Sequence, residues 1–188
     1  MNRQARPTRP ATYQDVLDAP PHMVAEIAAG RLHLHPRPAM RHAGASFWLA
    51  ASLGGRGPTD PSGPAGWRFA IEPELHLGPD ILVPDLAGWR RERMPVFPDT
   101  AATDLAPDWV CEILSPRTRS FDLTEKRDLY RANAVAHLWL VDPDARTLEA
   151  FTLTAGAWTL AAAFGDGDEV RAAPFEALGF PLGALWPE

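Results

Sequence analysis

Short apolar runs separated by turn residues set the pattern of this chain. "TYQDVLDAPP" reads as a short helix, with Thr12 as its N-cap and Pro20 and Pro21 as its stop. In "MVAEIAAGRLHLHP", Leu32 and Leu34 alternate with Arg31, His33 and His35 after a Gly-centred turn, which predicts a hairpin. Residues 43–53, "AGASFWLAASL", are long and apolar enough for a core-packed helix that the following glycines end. "WRFAIEPELHL", "DILVPDLAGW", "DWVCEILS" and "AHLWLVDP" are strand-like, with a further helix between the third and the fourth. "TLEAFTL" and "WTLAAAF", set off by the turn residues "DPDAR" and "AG", predict an antiparallel C-terminal extension. The pattern is that of a mixed α/β domain over residues 12–188 behind a flexible arm, 1–11, with a composition-defined loop at 54–67.

Three charges interrupt the pattern. Strand alternation puts Val83, Asp85 and Ala87 on one face, opposite Leu82, Pro84 and Leu86, and groups Val110, Glu112 and Leu114 opposite Cys111 and Ile113. An ionised carboxylate buried alone costs several kcal/mol, so each acid must be paired, protonated or bound to a cation. In "DLTEKRDLYRAN", Asp122 with Glu125 three residues on predicts a capping box and a helix start at Leu123. Helical spacing then aligns Leu123, Lys126, Leu129 and Tyr130, with Arg127, Asp128 and Arg131 nearer solvent. Lys126 therefore needs an anion within reach. Two readings stand on this pattern. One is a structural ion-pair cluster of Asp85, Glu112 and Lys126, some of it snorkelling to the edge of the core. The other is a metal-dependent phosphodiesterase, in which two carboxylates hold Mg²⁺ while Lys126 orients the attacking water and stabilises the charge developing on phosphorus.

Composition narrows the setting. With 188 residues, 46% apolar and 22% charged, the chain fits one soluble globular domain. Its apolar runs fall far short of the roughly 20 residues a membrane span requires. No apolar stretch follows the basic "MNRQARPTRPATYQ", so no signal peptide and a cytoplasmic location are expected. The single cysteine, Cys111, excludes an intramolecular disulfide and a multi-cysteine metal site, and its place in a strand reads as a buried, inert thiol. A net charge of −6 argues against coating nucleic acid through a broad basic surface, but not against meeting phosphate through a bound cation.

"VPDLAGW" and "CEIL" resemble the acid pair of the PD-(D/E)XK nuclease superfamily, although Leu114 stands where its lysine belongs. The order of "VAEIAAGRLHLHPRPAMRH", "VPDLAGW", "CEILSPRTRSFDLTEKRDLYRAN" and "AHLWLVDP", within residues 12–155, resembles more closely the Uma-type restriction endonuclease family of that superfamily. The resemblance implies a restriction-endonuclease-like core: a central mixed β-sheet flanked by helices, with the acids where the central strands diverge. It implies Asp85, Glu112 and the Ile113 backbone carbonyl as ligands of Mg²⁺ or Mn²⁺. Lys126, displaced onto the following helix, would be the catalytic lysine, Glu26 a further catalytic acid and His42 a substrate contact. Glu74 is a further candidate ligand, set against a surface role, and His33, His35 and His76 are expected to face solvent. Asn133, where relatives carry Gly, is expected to take the left-handed conformation that ends the helix. The implied activity is metal-dependent hydrolysis of phosphodiester bonds in DNA, in a homodimer because duplex cleavage takes two cuts. The alternative is a nuclease-like domain that binds nucleic acid or a protein partner without catalysis. The arm 1–11 and the loop 54–67 are the candidate substrate contacts.

Overall fold

Turn residues divide the apolar pattern more finely than its run lengths suggest. The computed structural model describes residues 9–54 and 66–186, so most of the expected arm and loop lie outside the described residues. Helix α1 (Tyr13–Leu17) has Thr12 at its N-cap, where the Thr12 N–H donates to the Asp15 carboxylate at 2.7 Å. Strands β1 (Met23–Ala28) and β2 (Arg31–Pro36) form the expected hairpin. Its turn residues Ala29 and Gly30 both have positive φ, the twist that a two-residue hairpin loop favours. Helix α2 (Met40–Gly54) buries Ala45, Ser46, Leu49 and Leu53.

"WRFAIEPELHL" is two strands, β3 (Trp67–Ile71) and β4 (Glu74–Leu77), broken at Glu72, where φ is 47°, and at Pro73. "DILVPDLAGW" likewise splits into β5 (Asp80–Leu82) and β6 (Leu86–Arg90). Pro84 has no N–H for a ladder, and the chain uses residues 83–85 to pass from one sheet to another. Asp85 therefore sits in a break between strands, and the expected alternating face Val83, Asp85, Ala87 does not exist.

Next come β7 (Ala102–Thr103), β8 (Trp109–Ile113) and a helical run made of α3 (Arg119–Phe121), a π-helical turn (Asp122–Lys126) and α4 (Arg127–Ala132). This run begins at Arg119, not at Leu123, with Thr118 as its N-cap. Asp122 is consequently inside the helix and buried, and Glu125 makes no capping box: it meets Arg31 at 2.6 Å. At the C-terminal end Asn133 keeps a negative φ and donates its Nδ2 to the Leu129 carbonyl, while Ala134 takes the left-handed conformation at φ 55°. The remaining strands are β9 (His137–Asp142), β10 (Thr147–Thr154), β11 (Ala157–Gly165), β12 (Glu169–Val170) and β13 (Phe180–Pro181), before a 3₁₀ turn at Leu182–Leu185.

The larger sheet has the order β11-β10-β9-β8-β6-β3 and is mixed, because β8 and β9 run parallel while their neighbours are antiparallel. The second has the order β2-β1-β5-β4-β7. Strand β8 is buried on both faces. Cys111 and Ile113 pack with Leu49 and Leu53 of α2 and with Phe175 and Leu182 near the C-terminus. Val110 and Leu114 pack with Leu75 and Leu82 of the second sheet and with Tyr130. The alternation expected for 110–114 holds. One flank of the mixed sheet is thus a helix and the C-terminal segment, and the other is largely a second sheet. At about 1.5–3 kcal/mol per fully buried large apolar side chain, these two layers fix β8 firmly enough to hold a charged residue in place.

Candidate active site

The break between β5 and β6 leaves backbone groups without ladder partners, and polar side chains meet them. The Val83 N–H donates to Glu26 Oε1 at 2.8 Å, and the Val83 carbonyl accepts from Lys126 Nζ at 3.0 Å. At the end of β8, where β6 has parted from it, the Ile113 N–H donates to Asp85 Oδ2 at 2.7 Å. Backbone that the sheets cannot pair therefore orients Glu26, Asp85 and Lys126.

Lys126 is the hub. Its Nζ lies 2.8 Å from Glu112 Oε1 and 3.2 Å from Glu26 Oε1, in addition to the Val83 carbonyl. Those three acceptors match the three hydrogens of an ammonium group. Tyr130, one turn further along the helix, donates its hydroxyl to Glu112 Oε1 at 2.5 Å. Burial alone would strip the proton from Lys126, but Glu112 and Glu26 more than offset it and hold the amine charged. Burial pushes the Glu112 carboxyl well up, opposed by Lys126. Burial, followed by the Glu112 charge, also raises the Tyr130 phenol.

His42, in the first turn of α2, has Nε2 3.3 Å from Asp85 Oδ2. Burial disfavours its charged form, yet the Asp85 carboxylate and the Ile113 carbonyl together raise its pKa. Glu26, Asp85, Glu112, Lys126 and His42 all line one cavity of about 400 Å³. The expected site residues thus converge. Ile113 is not among the lining residues: its N–H reaches Asp85, and its side chain faces the α2 core. Glu74 does not line the cavity: it meets His76 at 2.7 Å on β4.

Three expectations need amendment. His33 and His35 do not face open solvent, since their rings pack 4.3 and 5.2 Å from that of Phe121. Their Nε2 atoms lie 3.6 Å from Glu125 and 3.7 Å from Glu26, and burial lowers the pKa of both. Asp122, read from the sequence as a cap, lines the cavity 3.8 Å from Lys126. Arg37 and Arg117, which the sequence did not single out, also line the cavity. Arg37 is 3.7 Å from Glu72, whereas Arg117 is exposed and has no ion-pair partner among the described residues. Asp122 and Tyr130 had a signal available, because positions four residues either side of Lys126 share its helix face.

The donor set suits a hard divalent cation. Asp85 accepts on Oδ2 and Glu112 on Oε1, and the second oxygen of each takes no donor among the described residues. No three His, Cys, Asp or Glu side chains among the described residues form a complete cage. Two carboxylates and a carbonyl beside a cavity are what Mg²⁺ takes, since it retains several waters.

A solved structure from Anabaena variabilis, described as "a putative nuclease belonging to DUF820", superposes with a TM-score of 0.75 at 21% identity, covering 94% of this chain and 98% of that one. At that identity the likeness is one of fold alone. No curated protein matches the chain. The model of the Uma2 family, described as "Putative restriction endonuclease", matches residues 10–183. The polar cluster around β8 thus lies within a matched region that takes in nearly the whole described chain, and the protein belongs to the Uma2 family.

Proposed function

We propose that the cavity is the active site of a metal-dependent nuclease that hydrolyses phosphodiester bonds in DNA. The observation that carries this reading is the seating of Lys126 Nζ 2.8 Å from Glu112, with Asp85 on the same cavity. A structural ion pair needs one acid for one base, but five carboxylates line this cavity, and with Glu72 paired to Arg37 four of them (Glu26, Asp85, Glu112 and Asp122) are left to Lys126 and His42. Such an excess of buried negative charge is relieved by a cation.

Asp85, Glu112 and the Ile113 carbonyl would hold Mg²⁺ or Mn²⁺, which supplies Lewis-acid polarisation of the phosphate and a more acidic water. The chain's own groups do the rest. Lys126 fixes the Glu112 carboxylate and adds positive charge beside the phosphate. Glu26 holds Lys126 from the opposite side. His42 meets a phosphate oxygen, and Arg37 and Arg117 receive the flanking backbone as it crosses the mouth of the cavity. Two copies of the chain would cut the two strands of a duplex.

The test is incubation of plasmid and oligonucleotide DNA with purified protein in Mg²⁺ and in Mn²⁺. Cleavage by the wild type, lost in Asp85→Ala, Glu112→Ala and Lys126→Ala, supports the reading. An uncleaved substrate, or variants as active as the wild type, would sink it. The second reading, nucleic-acid binding without catalysis, is favoured by the enclosure of Lys126 Nζ among Glu112, Glu26 and the Val83 carbonyl. It would be supported by a gel shift with no cleavage in either metal.

A further inference from the structure

Asp122 is only half satisfied: Lys126 and the Thr118 hydroxyl approach it, and one of its oxygens is left without a partner. The residue is 3% exposed and lines the cavity, and its Oδ2 is buried without any hydrogen-bond partner. The reason lies in Lys126. Its Nζ donates to the Val83 carbonyl and lies 2.8 Å from Glu112 and 3.2 Å from Glu26, and Asp122 is left at 3.8 Å. Both residues belong to the π-helical turn Asp122–Lys126. A π-helical turn of that kind recurs at functional sites.

A carboxylate so placed is poorly tolerated as an anion, because an unsatisfied buried oxygen forfeits its hydration. As a neutral acid it carries one O–H that it can donate to a ligand in the cavity. On the proposed nuclease reading, we propose that Asp122 is the general acid that protonates the leaving oxygen of the scissile phosphodiester.

In the step, the oxygen of a water forms a bond to phosphorus as the bond from phosphorus to the leaving oxygen breaks. The Asp122 proton passes to that oxygen, giving an alcohol, and one proton of the attacking water is released to solvent in the cavity. Asp122 then regains a proton from solvent, so the sum is the addition of one water. The charged or titratable groups facing Asp122 are Glu26 from β1, Asp85 from the β5–β6 break, Lys126 from its own turn, Glu112 from β8 and His42 from α2. The carboxyl is pushed up to about 6, first by burial, with Lys126 and the Thr118 hydroxyl opposing the shift. A general acid is most effective when its pKa lies near the working pH.

The test compares two leaving groups in Asp122→Asn. DNA must expel an alkoxide, which needs a proton, whereas p-nitrophenyl esters of thymidine monophosphate expel a phenolate that does not. The expected result is a loss of about 100-fold or more in kcat on an oligonucleotide, with a far smaller loss on the aryl esters. Asp85→Asn should lose both activities. A pH profile of oligonucleotide cleavage gives a second readout. The wild type should show an alkaline limb falling about tenfold per pH unit, and Asp122→Asn should lack it. Equal losses on both substrates, or an unchanged alkaline limb, would overturn the general-acid role and leave the nuclease reading intact. A wild type that cleaves neither substrate would overturn both.

Discussion

Lys126 and Asp122 sit four residues apart in one helical turn and face opposite electrostatic situations. Lys126 is charged because two carboxylates hold its proton against burial, so removing it strands those carboxylates. Lys126→Met should therefore lose about 3–5 kcal/mol at pH 7, the range for breaking a buried pair from one side. Urea unfolding checks this, and a variant as stable as the wild type would favour a cluster already balanced without the amine. Asp122 behaves in the opposite sense. Its folded pKa of about 6 lies above the ordinary 3.8, so its contribution to stability is full below about pH 3.8 and is lost as pH rises through 6. Asp122→Asn should then be more stable than the wild type at pH 8 by up to about 3 kcal/mol, and the gain should vanish by pH 4. Thermal melts at the two pH values would measure it, and a variant less stable at pH 8 would contradict it. Much of this chemistry was legible in the chain, because Asp85, Glu112 and Lys126 each interrupt an apolar run. Asp122 was misread for a physical reason: an Asp three residues before a Glu fits a cap as well as it fits a buried turn. Tyr130 was placed on the correct face, but no spacing rule reveals which acid its hydroxyl will reach.

Elements place these residues by failing to continue. The β5–β6 break frees the Val83 and Ile113 backbone groups that orient Glu26, Lys126 and Asp85. The sequence pattern suggested one strand through Pro84, since alternation is blind to a switch of sheet. It succeeded at β8, where both faces meet apolar layers and register is set by packing. The helical run was found four residues short because its N-cap lies in "SPRT", where Ser115 Oγ stands 2.9 Å from Thr118 Oγ1. At the other end Ala134 takes φ 55° and is exposed. Since glycine adopts that conformation without a Cβ penalty, Ala134→Gly should raise stability by about 1 kcal/mol. A lower melting temperature for that variant would mean that the helix end is held by something other than backbone conformation.

For the molecule as a whole, a net charge of −6 and a cavity lined by five carboxylates repel a polyanion unless positive charge is supplied at the point of contact. On the proposed function, Arg37 and Arg117, which line the cavity, would supply it from the chain. Arg117→Ala should raise KM for an oligonucleotide several-fold with kcat little changed, and weaken the salt dependence of binding. A fall in kcat with KM unchanged would place Arg117 at the reacting phosphate instead. No helix among the described residues is long and apolar enough to cross a membrane. Most directly, the claim that Asp85 and Glu112 form a divalent-cation site rests on calorimetric titration of Mn²⁺ into the wild type and into Asp85→Ala. The expected result is saturable binding by the wild type that is absent from the variant. Equal heats in the two proteins, or none in either, would contradict it.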